Sequence, residues 1–134
     1  METILIRKAR KADLSKIALL IVSYSRQGKL LPRRKKDLAK QLKNFFVAEI
    51  SDEVVGCACL EIYGKKMAEI RSLAVDSKHF GKGIGTALVA SCIAKAKKKK
   101  ILEVMAITSQ EKFFQNLGFN YTLPGERKAL FVNP

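Results

Sequence analysis

The chain has 134 residues, a length that fits one compact domain, and its 48% hydrophobic content supplies an ordinary core, which excludes disorder or low complexity for the bulk of it. Lys and Arg number 26 against 12 Asp and Glu, and the resulting charge of +14 points to an anionic partner or a basic proteome. No run approaches the roughly 20 apolar residues of a membrane span, and Met1–Arg10 lacks the apolar stretch of a leader, so a soluble, cytoplasmic chain is expected.

Thr3–Lys8 is a β-branched run that reads as an opening strand. Asp13 stands where an N-cap belongs, ahead of Leu14, Ile17, Ala18, Ile21 and Tyr24 at helical spacing, and Gly28 ends this helix. After the break at Leu30-Leu31-Pro32, Arg33–Lys43 reads as a second, strongly basic helix with Leu38 and Leu42 inward. Phe45–Ile50, Val54–Ile62 and Met67–Val75 follow as strands, joined by the polar turns Ser51-Asp52-Glu53 and Tyr63-Gly64-Lys65-Lys66 into an antiparallel meander. Gly81-Lys82-Gly83-Ile84-Gly85 then opens a helix that runs through Leu88, Cys92 and Ala94 to Lys97–Lys100. Ile101–Ile107 is an apolar strand and Gln110–Leu117 a short helix closed by Gly118; Phe119–Leu123 and Ala129–Val132 are weak final strands. The order βααβββαβαββ predicts an α/β (α+β) fold in a single domain over 1–134. Its mixed central sheet has an antiparallel N-terminal meander, a βαβ crossover and helices on both faces.

Cys57, Cys59 and Cys92 read as buried small hydrophobes in a reducing compartment, with Cys57 and Cys59 expected on opposite faces of their strand and unpaired. With His79 the only histidine, no metal site is expected.

The strongest chemical feature is the strand–glycine loop–helix unit from Ala68 to Ala90. Gly81, Gly83 and Gly85 alternate into the first turn of an amphipathic helix. Glycines there allow close main-chain approach, and the free N–H groups of a helix start suit a pyrophosphate. The sequence lacks the G-x-x-x-x-G-K-[ST] of a Walker loop. A dinucleotide fold places such a loop after its first strand, whereas here it follows the fourth strand of a meander.

Three segments in this order resemble the GNAT superfamily of acetyl-coenzyme A-dependent N-acetyltransferases, over essentially the whole chain. They are Ala68-Glu69-Ile70-Arg71-Ser72-Leu73-Ala74-Val75 as the central strand, Gly81-Lys82-Gly83-Ile84-Gly85-Thr86-Ala87-Leu88 as the pyrophosphate loop, and Phe113-Phe114-Gln115-Asn116-Leu117-Gly118-Phe119 as the FY-x-x-x-GF element. The resemblance implies acetyl-CoA as cosubstrate and no metal. It assigns the pantetheine arm to the main chain of Leu73-Ala74-Val75, lying alongside like an added strand, with an N–H there stabilising the oxyanion. Lys82, Gly83, Ile84, Gly85 and Thr86 would hold the pyrophosphate, with Lys78 and Lys82 as electrostatic partners of the phosphates. An ammonium has no lone pair with which to attack a thioester, and Glu69 is the implied catalytic base, acting directly or through water. Two positions depart from the pattern: Phe80 replaces an Arg or Gln at the loop, and Phe114 replaces the tyrosine that protonates the leaving thiolate.

Gln27-Gly28-Lys29-Leu30-Leu31-Pro32-Arg33-Arg34 further resembles the QG-x-L-x-x-R segment of the amino-acid N-acetyltransferases that make N-acetylglutamate, in arginine biosynthesis. That likeness implies the α-amino group of an amino acid such as L-glutamate as acceptor, with the guanidinium of Arg33 on its carboxylate. Arg127, in Arg127-Lys128-Ala129-Leu130, and Arg71, two residues from Glu69, are further candidates for the substrate. Alternatives are a protein, peptide or polyamine acceptor, or a non-catalytic acetyl-CoA-binding regulator. A nucleic-acid-binding module is disfavoured, because the basic runs Arg33–Lys43 and Lys95–Lys100 fall on separate helices without interleaved aromatics. A homodimer is compatible with this reading.

Overall fold

The computed structural model describes residues 2–28, 30, 32–121, 130 and 132–134. Strand β1 (Ile4–Lys8) leads through a 3-10 turn (Lys11–Asp13) into helix α1 (Leu14–Arg26), followed by the short helix α2 (Lys35–Lys40) and a 3-10 turn at Leu42–Asn44. β2 (Phe45–Ile50), β3 (Glu53–Ile62) and β4 (Met67–Val75) form the meander. A 3-10 turn at Ser77–His79, helix α3 (Ile84–Lys98), strand β5 (Glu103–Met105) and helix α4 (Glu111–Asn116) complete the order. The sheet runs β1-β2-β3-β4-β5, antiparallel throughout except for the parallel pair β4–β5. Among the described residues no helix is long and apolar enough to cross a membrane.

Each face of the sheet builds its own core. Beneath α3, Leu88, Val89, Cys92 and Ala96 meet Val55, Ala58 and Leu60 of β3. Beneath α1 and α2, Ile17, Ile21 and Leu38 meet Phe45, Val47, Cys57 and Cys59. Residues two apart in a strand point the same way, so Cys57 and Cys59 share the α1/α2 face and do not straddle the sheet; with Cys92 all three are buried, free thiols. Their burial disfavours the thiolate and pushes Cys59 up to about 11 and Cys92 to about 12.

Local corrections follow from tertiary partners. Asp13 does not cap α1; its Oδ2 accepts from the Arg10 N–H at 2.7 Å, and its two oxygens take the Arg7 guanidinium at 2.8 and 3.0 Å. The bonded Arg7 guanidinium holds the Asp13 carboxyl below the usual carboxylate range, while Asp13 raises Arg7. The second helix covers only Lys35–Lys40 of the predicted Arg33–Lys43, since the chain tightens to 3-10 geometry before Phe45 enters the sheet. Of the two predicted final strands, the described residues 119–121, 130 and 132 are not in strands; their other positions, and the substrate candidate Arg127 between them, lie outside the described residues.

Two irregularities open the sheet. Between Cys57↔Ala74 and Cys59↔Arg71 the β3–β4 register slips by one, and Ser72 at this bulge takes a left-handed φ of +58°. Beyond Glu69, β4 then parts from β5, whose predicted extent of Ile101–Ile107 shrinks to the three pairs Met67↔Glu103, Ala68↔Val104 and Glu69↔Met105. The result is a wedge-shaped gap beside the second half of β4.

Candidate active site

That gap belongs to a cavity of about 980 Å³. β4 supplies one wall through Glu69, Arg71, Ser72, Leu73 and Val75, and the loop ahead of α3 supplies another through Gly81, Gly83, Ile84, Gly85 and Thr86. Arg33 enters from the segment before α2, and the stretch from Ile107 to Gln110 with Phe113 and Phe114 closes the side toward α4. Glu69, Arg33, Arg71 and the glycine loop, far apart in the sequence, thus share one cavity.

The loop fits an anionic diphosphate through its main chain. Gly81 and Gly83 hold φ of +79° and +78°, a conformation that side chains resist. The Ala87 N–H is bonded to Gly83 C=O, so the amides before it sit in the first turn, where helix N–H groups lack an intrahelical acceptor. At Gly85 a Cβ would lie 3.4 Å from the Phe113 ring, which sets how closely the helix start approaches α4. The Lys82 side chain is engaged elsewhere, with Nζ 2.7 Å from Glu2 Oε2 and 3.3 Å from His79 Nδ1. Ala74 is fully buried under α1 and α2, so its side chain does not reach the cavity. Lys78 is exposed; its N–H bonds Asp76 Oδ1 at 3.1 Å. Phe80 is 54% exposed at the cavity rim, where it presents an aromatic surface.

On β4 the groups are already organised. The Val75 N–H donates to the Tyr24 hydroxyl oxygen at 3.1 Å, and that hydroxyl donates back to Val75 C=O at 3.0 Å, on the strand edge facing away from β3. Burial raises the Tyr24 phenol, partly offset by this main-chain bond. Arg33 Nη1 donates to Ser72 Oγ at 3.0 Å. Arg71 Nη1 is committed to Glu61 Oε2 at 2.6 Å. Glu69 is 8% exposed and its Oε1 accepts from the Tyr63 hydroxyl at 2.5 Å. Phe114 is buried edge-on between Phe113 and Phe119, with no proton to give.

Ser72, Tyr24 and Tyr63 escape the sequence reading. Ser72 alone left a trace, as a small polar residue inside an apolar strand; the two tyrosines read as ordinary members of a helix and a turn.

The chain matches the family model described as Acetyltransferase (GNAT) family over residues 6–119. It is 36% identical over 114 residues to an uncharacterized N-acetyltransferase of Chlorobaculum tepidum, covering 85% of this chain and 74% of that protein. Identity is 35% over 118 residues with an amino-acid acetyltransferase of Mycobacterium tuberculosis, covering 85% and 67%. Among solved structures, Rv2747 from M. tuberculosis in complex with CoA and NLQ superimposes with a TM-score of 0.83 at 33% identity, covering 87% of this chain and 71% of that one. N-acetylglutamate synthase from Neisseria gonorrhoeae, complexed with coenzyme A and N-acetyl-glutamate, gives 0.81 at 30% identity, but this chain, 86% of it covered, spans only 28% of that enzyme. With the splayed strand and the glycine loop at the mouth of one cavity, these likenesses establish that the chain belongs to the GNAT family of N-acetyltransferases.

Proposed function

We propose that this N-acetyltransferase acetylates the α-amino group of an amino acid, with L-glutamate as the leading acceptor. The observation that carries this reading is Arg33, half-buried in the cavity and bonded to Ser72 Oγ at 3.0 Å. A guanidinium has five donors, so those not used here can grip a carboxylate in a two-pronged contact. Arg71 is the weaker candidate, because the Glu61 carboxylate at 2.6 Å already offsets its charge, whereas Ser72 leaves that of Arg33 uncompensated. The net charge of +14 favours an anionic substrate over a polyamine. Relatives and neighbours named for amino-acid acetylation, at 35% and 30% identity, support the same class.

Acetyl-CoA, when bound, supplies an activated acetyl thioester. The amides of Lys82, Gly83, Ile84, Gly85 and Thr86 would receive its pyrophosphate, and the main chain of Leu73 and Val75 its pantetheine arm. At Val75 this docking exchanges with the hydroxyl of Tyr24. Glu69 takes the proton of the ammonium, which frees the nitrogen lone pair for attack. With Phe114 at the usual acid position, water protonates the leaving thiolate. On this reading the enzyme works in a cytoplasmic biosynthetic setting.

The test is thiol release from acetyl-CoA across amino acids, polyamines and peptides. Release dependent on L-glutamate or a close relative, with KM raised about 10- to 100-fold in Arg33→Ala, is the expected result for losing a charged hydrogen bond of about 1.5–3 kcal/mol. Turnover of peptides alone would refute the amino-acid reading.

A further inference from the structure

Glu69 is 8% exposed and faces the cavity that the substrates fill, so with both bound a proton taken from an amine needs another way out. What it does have is Tyr63, from the β3–β4 turn, whose hydroxyl donates to Glu69 Oε1 at 2.5 Å, the length of a charge-assisted bond. The same hydroxyl lies 3.3 Å from Glu61 Oε2, which Arg71 Nη1 holds at 2.6 Å. Glu61 and Glu69 are directly opposed across β3 and β4. Like charges facing each other across a sheet are unfavourable, and here a phenol and a guanidinium offset the repulsion. Tyr63 is 56% exposed and does not line the cavity, so this row runs from the buried carboxylate to solvent without touching substrate.

We infer that Tyr63 is a positioning residue that relays the proton from Glu69 to Glu61 and on to water within each turnover, drawing it off the base as the amine is deprotonated and before the nitrogen attacks; the inference rests on reading Glu69 as the base. In the first step an ammonium N–H bond breaks and its proton goes to a Glu69 oxygen, leaving the electron pair on nitrogen. After a half-turn of the carboxyl group and a turn of the phenol O–H from Glu69 toward Glu61, that O–H bond of Glu69 breaks as the proton passes to the Tyr63 oxygen. The phenol's own proton moves at the same time to Glu61 Oε2, which releases it to water. Every group returns to its starting form, and the net change is one proton moved from ammonium to water. Burial first, and then the bond to Glu69, raise the Tyr63 phenol, so it remains a protonated donor near neutrality.

The experiment compares wild type, Tyr63→Phe and Glu69→Gln. In the unliganded protein at neutral pH, proton NMR should show a downfield hydroxyl resonance that both substitutions abolish. Single-turnover thiol release is then measured with the amine of the panel that reacts fastest. Tyr63→Phe should slow it about 10- to 100-fold, a share of the 10²–10⁴ typical of general acid–base catalysis, with KM for both substrates within about two-fold. The dependence on deuterium content should change from curved to straight as one transferring proton is lost. If Glu69→Gln is slow while Tyr63→Phe reacts at the wild-type rate, or raises KM alone, the relay is refuted and the base stands. If Glu69→Gln also reacts normally, or no amine supports release, the base reading falls and takes the relay with it.

Discussion

Replacing Gly83 tests whether the loop acts through its main chain. The residue sits at φ +78° and ψ +13°, and an added Cβ meets nothing within 4 Å. The whole penalty of Gly83→Ala is therefore conformational, about 1–2 kcal/mol for an L-residue held left-handed. At about 2.1 cal/mol/K per residue, a chain of 134 residues has an unfolding entropy of about 0.28 kcal/mol/K. Melting of the unliganded protein should thus fall by about 4–7 °C. If the variant escapes the strain by relaxing toward negative φ, the amides at the start of α3 turn away, and the stabilisation by added CoA shrinks. Gly83→Asn tolerates the left-handed region better and should recover at least half of both losses. Calorimetry of the three proteins with and without CoA is the assay. Wild-type melting of Gly83→Ala, or equal loss of the CoA shift in the Ala and Asn variants, would refute the argument.

Other predictions concern the groups around the site. Because Asp13 titrates below its unfolded value, its contribution to stability is present above the ordinary carboxylate range of about 3.9 and is lost as pH falls through the lower, folded value. Asp13→Asn should cost about 1.5–3 kcal/mol at pH 7, the loss of charged hydrogen bonds with Glu49 at 3.4 Å left to pair Arg7, and should flatten the acid limb of a melting-temperature profile. The buried thiols of Cys57, Cys59 and Cys92 should resist a maleimide at pH 7.5 in the folded protein and all react after unfolding, since burial suppresses the thiolate; rapid labelling of the native chain would contradict their placement. Tyr24→Phe removes both hydrogen bonds to Val75 and should cost the unliganded protein about 1–3 kcal/mol. The same variant should show a larger CoA-induced rise in melting temperature, and a smaller rise would mean that pantetheine does not use Val75.

What could be read from the sequence was what local pattern encodes. The meander was visible because Ser51-Asp52-Glu53 and Tyr63-Gly64-Lys65-Lys66 break apolar runs, and α3 because its apolar spacing follows a glycine loop. The cavity wall from Glu69 to Val75 and the loop wall from Gly81 to Thr86 emerge from motifs a few residues long. The bulge at Ser72 has no such signature: its left-handed turn is imposed by pairing with β3 and by Arg33, 39 residues away. The bonds from Tyr24 to Val75 span 51 residues and could not be anticipated from either neighbourhood. Asp13 holds the N-cap position of α1 without bonding its N–H groups, for a related reason. A local cap and an ion pair want the same carboxylate, and Arg7 at 2.8 Å wins.

The early parting of β4 from β5 also bears on how long the protein lasts. A strand edge without a neighbour is a template for foreign strands, and among the described residues β4 has no β5 partner beyond Glu69. A cosubstrate that fills the place of the missing strand blunts that edge and binds the folded chain alone. By mass action it adds about 2.7 kcal/mol of stability at a hundred times its dissociation constant. If acetyl-CoA takes that place, as proposed, its supply should lengthen the life of the folded chain, read as slower proteolysis with CoA present.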